Sequence, residues 1–309
     1  MNGNRSESPA FDHALVIANP YSGHSKKRTA GKQALALVAP LGRQCELATT
    51  TGVGHATVLA QDWAARGNDL VVAVGGDGTI HEVAKGLVGT SCAMAVLPSG
   101  SGNDFATGAG CATVAESLQT IRTGENVAID VAALDGEVFI NSCGLLTSGL
   151  VSDSASKLWR WLGSMRYTLA AARTLFTYRG QEVSWKIEPE DKPAVNLRGR
   201  YLLAEICNGP LTGGGFQFAP DANFTDGQLD AALITPLSPW AGLKLVPAAT
   251  TGEAISHPNL TIVRGQKIIF ESALPIAYHL DGEPGELAAG RHEITVMKEK
   301  LLLRLRTAN

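Results

Sequence analysis

The stretch Leu70-Val71-Val72-Ala73-Val74-Gly75-Gly76-Asp77-Gly78-Thr79-Ile80-His81-Glu82-Val83-Ala84-Lys85-Gly86-Leu87 decides the fold. It opens with apolar β-formers and closes with Ile80, Val83, Ala84 and Leu87 at helical spacing. Between them, Gly75-Gly76-Asp77-Gly78-Thr79 predicts a glycine-rich turn that joins a strand to a helix start. Glycines let backbone approach a ligand closely, and N–H groups at a helix start carry partial positive charge. Such a turn is a phosphate cradle. Asp77 adds a carboxylate, which suits a metal–nucleotide complex, or a hydroxyl to be oriented, better than a bare anion. The chain has no GxxxxGK[ST] motif, and GxGxxG is not matched in this turn. His81-Glu82 opens like a zinc-protease helix, but position 85 is Lys rather than His.

Outward from this stretch the same alternation continues. Strands are expected at Ala14–Ala18, Gln44–Thr49 and Ala93–Leu97, and helices at Lys26–Ala39, His55–Arg66, 80–88 and Ala112–Thr123. This rhythm predicts an α/β domain with a doubly wound parallel sheet. Ligands bind such sheets at the carboxyl ends of the strands. Three turns fall at that edge: Asn19-Pro20-Tyr21-Ser22-Gly23, Gly75–Thr79, and Pro98-Ser99-Gly100-Ser101-Gly102-Asn103-Asp104. Lys26, Lys27 and Arg28 after the first turn can assist phosphate binding or simply form a solvated helix start. Asp104 can contact a ligand or cap the helix that follows.

From about Val127 strands become frequent. They are expected at Ala128–Leu134, Val138–Ser142, Glu182–Ile187, Arg200–Cys207, Leu229–Ile234 and Lys267–Glu271, separated by glycines and short turns. This predicts a β-rich antiparallel, sandwich-like second domain. The expected division is 1–127 for the first domain and 128–292 for the second, with 293–309 returning to the first. One helical stretch, about Ser156–Tyr178, interrupts the strands. It is aromatic and basic, which suits either packing on a sheet or contact with a lipid interface.

A chain of 309 residues, 45% hydrophobic and 18% charged, has the composition of about two globular domains rather than of a disordered protein. A net charge of −3 gives no bulk reason to bind nucleic acid or to be drawn strongly to anionic membranes. Cysteines 45, 92, 111, 143 and 207 are scattered without a CxxC pair, which favours a reducing compartment. The polar start, Met1–Ala10, does not read as a signal peptide, and no apolar run reaches the ~18–20 residues that span a bilayer. A soluble, cytoplasmic protein is expected. Its oligomeric state is left open, a homodimer included.

GGDGT together with PSGSGNDFA resembles the catalytic domain of diacylglycerol kinases and their relatives, the sphingosine kinases and bacterial lipid kinases. NPYSG matches the family's first nucleotide loop, and Thr50 with Gly54-His55-Ala56 its TxxxGxA segment. Asn208-Gly209, Gly213-Gly214-Gly215, Ala219-Pro220 and Asp226-Gly227-Gln228-Leu229-Asp230 match its second-domain signature. Asp281-Gly282-Glu283 matches its late acidic motif. GGDGT alone is shared with NAD kinases and phosphofructokinases; the combination is more specific.

The resemblance implies an ATP-dependent lipid kinase, with the nucleotide between two domains and a lipid alcohol such as diacylglycerol as acceptor. It implies ATP contacts at Asn19, Pro20, Tyr21, Ser22, Gly23, Thr50, Gly75, Gly76, Asp77, Gly78, Thr79 and Ser101. It implies that Asp281 or Glu283 is the general base, as proton acceptance from an alcohol requires. It also implies a structural Mg2+ held by Asn223, Asp226 and Gln228, besides the Mg2+ that arrives with ATP. Transient contact with a membrane surface follows, because the acceptor lives in a bilayer. A kinase for a soluble acceptor such as NAD, and a non-catalytic nucleotide- or lipid-binding regulator, are the rival readings. One departure stands out: where the family shows Asn-Glu after GGDGT, this chain has His81-Glu82.

Overall fold

The computed structural model describes residues 9–20, 30–100, 102–157 and 165–306. The chain divides into two compact units. The first holds residues up to 99, then 109–128 and 301–309; the second holds 100–108 and 129–300.

In the first unit, β1 (His13–Ala18), β2 (Gln44–Thr49), β3 (Leu70–Gly75), β4 (Ala93–Pro98), β5 (Glu125–Ile129) and β18 (Leu301–Leu305) form one sheet. Its order is β2-β1-β3-β4-β18-β5. The pairs β1–β2, β1–β3, β3–β4 and β4–β18 are all parallel. Strands β3 and β4 are buried along their whole length, as strands covered on both faces must be. The connecting helices are α1 (Ala30–Val38), α2 (His55–Ala65), α3 (Asp77–Leu87) and α5 (Val114–Thr123). Helix α5 opens with a full capping box, Thr113 and Glu116 each serving the other's backbone N–H. Helix α3 lies tight on α2 at Gly86, where a Cβ would come within 2.5 Å of the Thr57 carbonyl oxygen.

In the second unit, β6 (Ala132–Leu134), β7 (Glu137–Phe139), β9 (Gln181–Glu188), β10 (Val195–Tyr201), β14 (Lys267–Ser272) and β17 (Gly290–Val296) form one sheet. A second sheet joins β8 (Ser142–Leu146), β11 (Leu203–Cys207), β12 (Leu229–Ile234), β13 (Leu260–Gly265), β15 (Ile276–Leu280) and β16 (Glu283–Leu287). Both are antiparallel ladders whose inner residues share one core. In β9, Val183, Trp185 and Ile187 alternate inward with outward polar residues. Trp185 packs against Phe270 with ring centroids 5.3 Å apart. The unit also carries the short α4 (Asp104–Gly108), α6 (Thr147–Lys157), α7 (Met165–Thr177) and α8 (Pro239–Thr251).

Several expected elements differ. The segment 128–134 is two strands in different sheets, interrupted at Asp130 and Val131. The segment 200–207 likewise changes sheet at Leu202, between β10 and β11. The return to the first sheet is made by 301–305, while 290–296 stays in the second unit. Helix α3 starts at Asp77, three residues before the expected start at 80, so most of the glycine turn is already helix. The expected helix 156–178 appears as the end of α6 and α7, and 158–164 lie outside the described residues.

Candidate active site

The first unit brings its strand-end turns to one sheet edge. The order β2-β1-β3-β4 reverses direction between β1 and β3, the switch point where doubly wound sheets bind ligands. Asn19 follows β1, and its amide Nδ2 donates to Thr79 Oγ1 across that point at 3.3 Å. The Asn19 backbone N–H donates to the Val74 carbonyl at 3.2 Å, and the Ser99 N–H to the Gly75 carbonyl at 2.9 Å. Thr50, buried at the end of β2, donates its N–H to the Ala18 carbonyl. Gly76 is the N-cap of α3, extended and without a side chain of its own to cap that helix start. A Cβ on Gly75 would lie 2.4 Å from that of Thr79, so only glycine permits this close turn. Asn19, Pro20, Thr50, Gly75, Gly76, Asp77, Gly78 and Thr79 thus lie at or beside the carboxyl edge. Tyr21, Ser22, Gly23 and Ser101 lie outside the described residues, as do Lys26, Lys27 and Arg28.

Glu82, beside the atypical His81, has a structural task. Its carboxylate accepts from the N–H groups of Gly54 at 2.9 Å and Ala56 at 3.1 Å, at the start of α2. Gly54 has φ +78°, a left-handed conformation that glycine adopts freely. The Gly54-His55-Ala56 segment therefore exposes its amides to Glu82, and a carboxylate there also suits the helix dipole.

The second unit builds a site around the hairpin between β15 and β16. Leu280 pairs with Glu283, so Asp281 and Gly282 alone form the turn. Both have positive φ, +50° and +93°, as a type I′ turn requires. The Asp281 carboxylate is buried against the loop between β7 and β8. It accepts from the N–H groups of Ile140 at 2.9 Å, Asn141 at 2.8 Å and Ser142 at 2.9 Å. Asn208 steadies the same loop, donating to the carbonyls of Asp130 and Ile140 at 2.9 and 2.6 Å. Gly209 is fixed by crowding, since a Cβ would fall 2.3 Å from the Phe224 ring. Glu283 starts the edge strand β16 and is exposed.

Behind the turn lies a buried polar network that sequence reasoning missed. The Gly282 N–H donates to His279 Nδ1 at 3.3 Å, and Ser152 Oγ donates to the Gly282 carbonyl at 2.7 Å. With Nδ1 accepting, the imidazole proton sits on Nε2, 3.0 Å from Ser148 Oγ. Ser148 in turn donates to the fully buried Glu205 at 2.5 Å, and Thr212 donates to its other oxygen at 2.8 Å. No local motif marks these residues; two strands, a helix and two loops bring them together.

The loop 212–216 closes on itself by hydrogen bonds between Thr212 and Phe216, across three glycines of positive φ. Asp104 Oδ2 accepts from the Gly214 N–H at 2.7 Å, which ties the start of α4 to this glycine turn.

The acidic loop 221–230, which carries the magnesium ligands that the resemblance implies, is braced by its own hydrogen bonds. Asn223 Oδ1 accepts from the N–H and hydroxyl of Thr225, and Asp226 Oδ1 from the Gln228 N–H at 3.0 Å. The register of β12 and β13 sets Arg264 opposite Asp230. Its guanidinium meets Asp230 Oδ1 at 2.8 Å, Asp226 Oδ2 at 3.6 Å and the Asp221 carbonyl at 2.9 Å. Arg264 thus lies beside the carboxylates of Asp226 and Asp230, and among the described residues no three His, Cys, Asp or Glu gather as a metal site. Asp130, almost fully buried, accepts from the Gly227 N–H at 2.7 Å and pairs with Lys300, so the loop is anchored at a second point.

Residues 13–134 match the model of the diacylglycerol kinase catalytic domain, and 144–300 that of the YegS C-terminal NAD kinase beta sandwich-like domain. The chain belongs to the diacylglycerol kinase family of lipid kinases. It is 31% identical over 300 residues to a protein named diacylglycerol kinase from Bacillus subtilis, covering 93% of this chain and 97% of that one. It is 30% identical over 311 residues to a protein named "Probable lipid kinase YegS" from Salmonella arizonae, covering 96% of each. A solved diacylglycerol kinase structure from Bacillus anthracis has the same fold, with a TM-score of 0.72 at 21% identity over 96% of this chain and 97% of that one.

Proposed function

We propose that the chain is an ATP-dependent lipid kinase that transfers the γ-phosphoryl group to a lipid hydroxyl such as that of diacylglycerol. The observation that carries this reading is the division of labour in the Asp281–Glu283 hairpin. Three backbone donors occupy the Asp281 carboxylate, so its role is to hold the turn. Glu283, exposed at the start of an edge strand, is the carboxylate able to accept the acceptor alcohol's proton. The glycine turn and the start of α3 would hold the β- and γ-phosphates, with Asn19 and Thr79 bracing the switch point. Magnesium bound with ATP would neutralise phosphate charge, and Asp77 is the carboxylate of the cradle that would orient that complex. Little covalent chemistry is asked of the protein; positioning and charge stabilisation supply most of the acceleration.

The test is transfer of labelled phosphate from ATP to diacylglycerol in mixed micelles. Glu283→Gln lowers kcat by roughly 10²–10⁴-fold with little change in KM for ATP, as loss of a general base predicts. Full activity in that variant would sink the assignment. Phosphorylation of NAD with no lipid product would establish the soluble-acceptor reading instead, and ATP binding without turnover a regulator.

A further inference from the structure

The hydrogen bonds behind the Asp281–Gly282 turn run in one direction. Thr212 donates to Glu205 Oε1 at 2.8 Å, and its hydroxyl lies 2.8 Å from that of Ser142. Ser148 donates to Glu205 Oε2 at 2.5 Å. The fully buried Glu205 is thus the acceptor at the end of both hydroxyl chains. A hydroxyl has one proton. With that of Ser148 donated to Glu205, the contact between Ser148 Oγ and His279 Nε2 at 3.0 Å needs its proton from the imidazole. Nδ1 is then a bare acceptor, and it takes the Gly282 N–H at 3.3 Å. On the other side of the same residue, the buried Ser152 of α6 donates to the Gly282 carbonyl at 2.7 Å. Both peptide groups of Gly282 are therefore held, and the second of them leads into Glu283. Glycines make room for this arrangement. A Cβ on Gly144 would lie 2.2 Å from His279 Nε2, and one on Gly149 would lie 2.3 Å from the Ala277 carbonyl oxygen, where α6 lies on β15.

We propose that His279 is a positioning residue for Glu283, with Ser148 and Glu205 setting its tautomer. The catalytic part of this rests on the lipid-kinase reading, in which Glu283 is the base; the grip on Gly282 does not. Glu283 is exposed at the first position of an edge strand, so the turn before it sets where its carboxylate points. Gly282 is the soft link in that turn, because glycine populates many backbone conformations. The Asp281 carboxylate fixes one side of the turn on the N–H groups of 140–142. His279 and Ser152 fix the residue between Asp281 and Glu283. The opposite tautomer would set an Nδ1 proton against the Gly282 N–H and release it. A base must lie within hydrogen-bond reach of the proton it accepts, and a misplacement of about 1 Å can cost roughly 10²-fold in rate. The relay from Glu205 to Gly282 supplies that placement without touching substrate.

The test compares His279→Asn with His279→Gln in the full chain. Asn sets an amide oxygen where Nδ1 stands and gives up Ser148. Gln reaches Ser148 and gives up Gly282. Each variant loses one buried hydrogen bond, so their melting temperatures fall by similar amounts. Their kinetics separate. In transfer of labelled phosphate from ATP to diacylglycerol, His279→Gln lowers kcat by roughly 10²-fold with KM for ATP unchanged, and His279→Asn recovers about ten-fold of that loss. Amide hydrogen exchange at Gly282, followed by NMR without substrate, speeds up in the Gln variant and stays slow in the Asn variant. Equal kcat in the two variants, equal exchange at Gly282, or a wild-type His279 whose nitrogen NMR spectrum shows the proton on Nδ1 would overturn the proposal. A wild type that phosphorylates no lipid would remove the kinase reading, and the exchange rates would still decide whether His279 holds the turn.

Discussion

Replacing Arg264 with Met tests the balance of charge in the acidic loop. The Asp230 side chain is 5% exposed and that of Arg264 42%, so the pair is half open to water. Removing one partner of a fully buried pair costs about 3–5 kcal/mol, while an exposed pair is worth about 1 kcal/mol or less. Arg264→Met therefore costs about 2 kcal/mol at neutral pH, or roughly 4–8 °C in melting temperature for a unit of this size. Burial already pushes the Asp230 carboxyl above its ordinary value of 3.8, with Arg264 pulling it back. Without Arg264 it rises further. A carboxyl raised in the folded state weakens the fold once pH passes the unfolded value and the group must ionise. The deficit is thus largest at neutral pH and shrinks as pH falls and Asp230 takes up its proton. Adding Asp230→Asn to Arg264→Met recovers at least half the loss, because no buried charge remains. Thermal melts of the three proteins at pH 5 and pH 7.5 decide the matter, followed in EDTA and in millimolar MgCl2 without nucleotide. A loss independent of pH, or clear stabilisation of wild type by magnesium alone, would refute the reasoning.

Other predictions follow from single contacts. Gly75→Ala drives a methyl into Thr79 and disturbs the cradle, so nucleotide affinity measured by calorimetry falls at least ten-fold while the second unit's melt is unaffected. Glu82→Gln replaces a carboxylate on the α2 amides with a neutral acceptor and costs about 1 kcal/mol, read from denaturant unfolding. Burial pushes the Cys45 thiol up to about 11 and the Cys92 thiol up to about 12, and raises Cys111, Cys143 and Cys207 as well. Thiol reagents at pH 8 therefore label the native protein slowly, and all five sites react only on unfolding.

The centre of the first sheet was legible in the sequence because β3 and β4 are continuous apolar runs between helical repeats. Leu70–Gly75 and Ala93–Pro98 are buried throughout and carry no competing signal. The second unit was harder to read. Glu283-Pro284-Gly285-Glu286-Leu287 has the composition of a loop, yet it forms β16, where an edge position tolerates proline. Arg200–Cys207 reads as one strand, and nothing local marks Leu202 as the residue where the chain changes sheet. Motif spacing placed the hairpin acids and the glycine turns. It could not assign Glu82 to the amides of α2, or bring His279 and Glu205 together behind Gly282, because those contacts depend on register and packing between distant segments. Arg264 is a case in point: it is unremarkable in sequence, and only its position opposite Asp230 across β12 and β13 makes it the loop's cation.

The place of β18 has a consequence for biosynthesis. This strand pairs in parallel with β4 and stands between β4 and β5 in the first sheet. While the chain is still emerging from the ribosome, β1 to β4 can assemble, but the slot beside β4 stays empty until residues 301–305 arrive. The carboxyl edge of β1 to β4 is thus made early on a sheet completed last, after the whole second unit has been synthesised. Nascent chains that stall before Leu301 would leave one side of β4 unpaired, and such an edge invites chaperones or another copy of the chain.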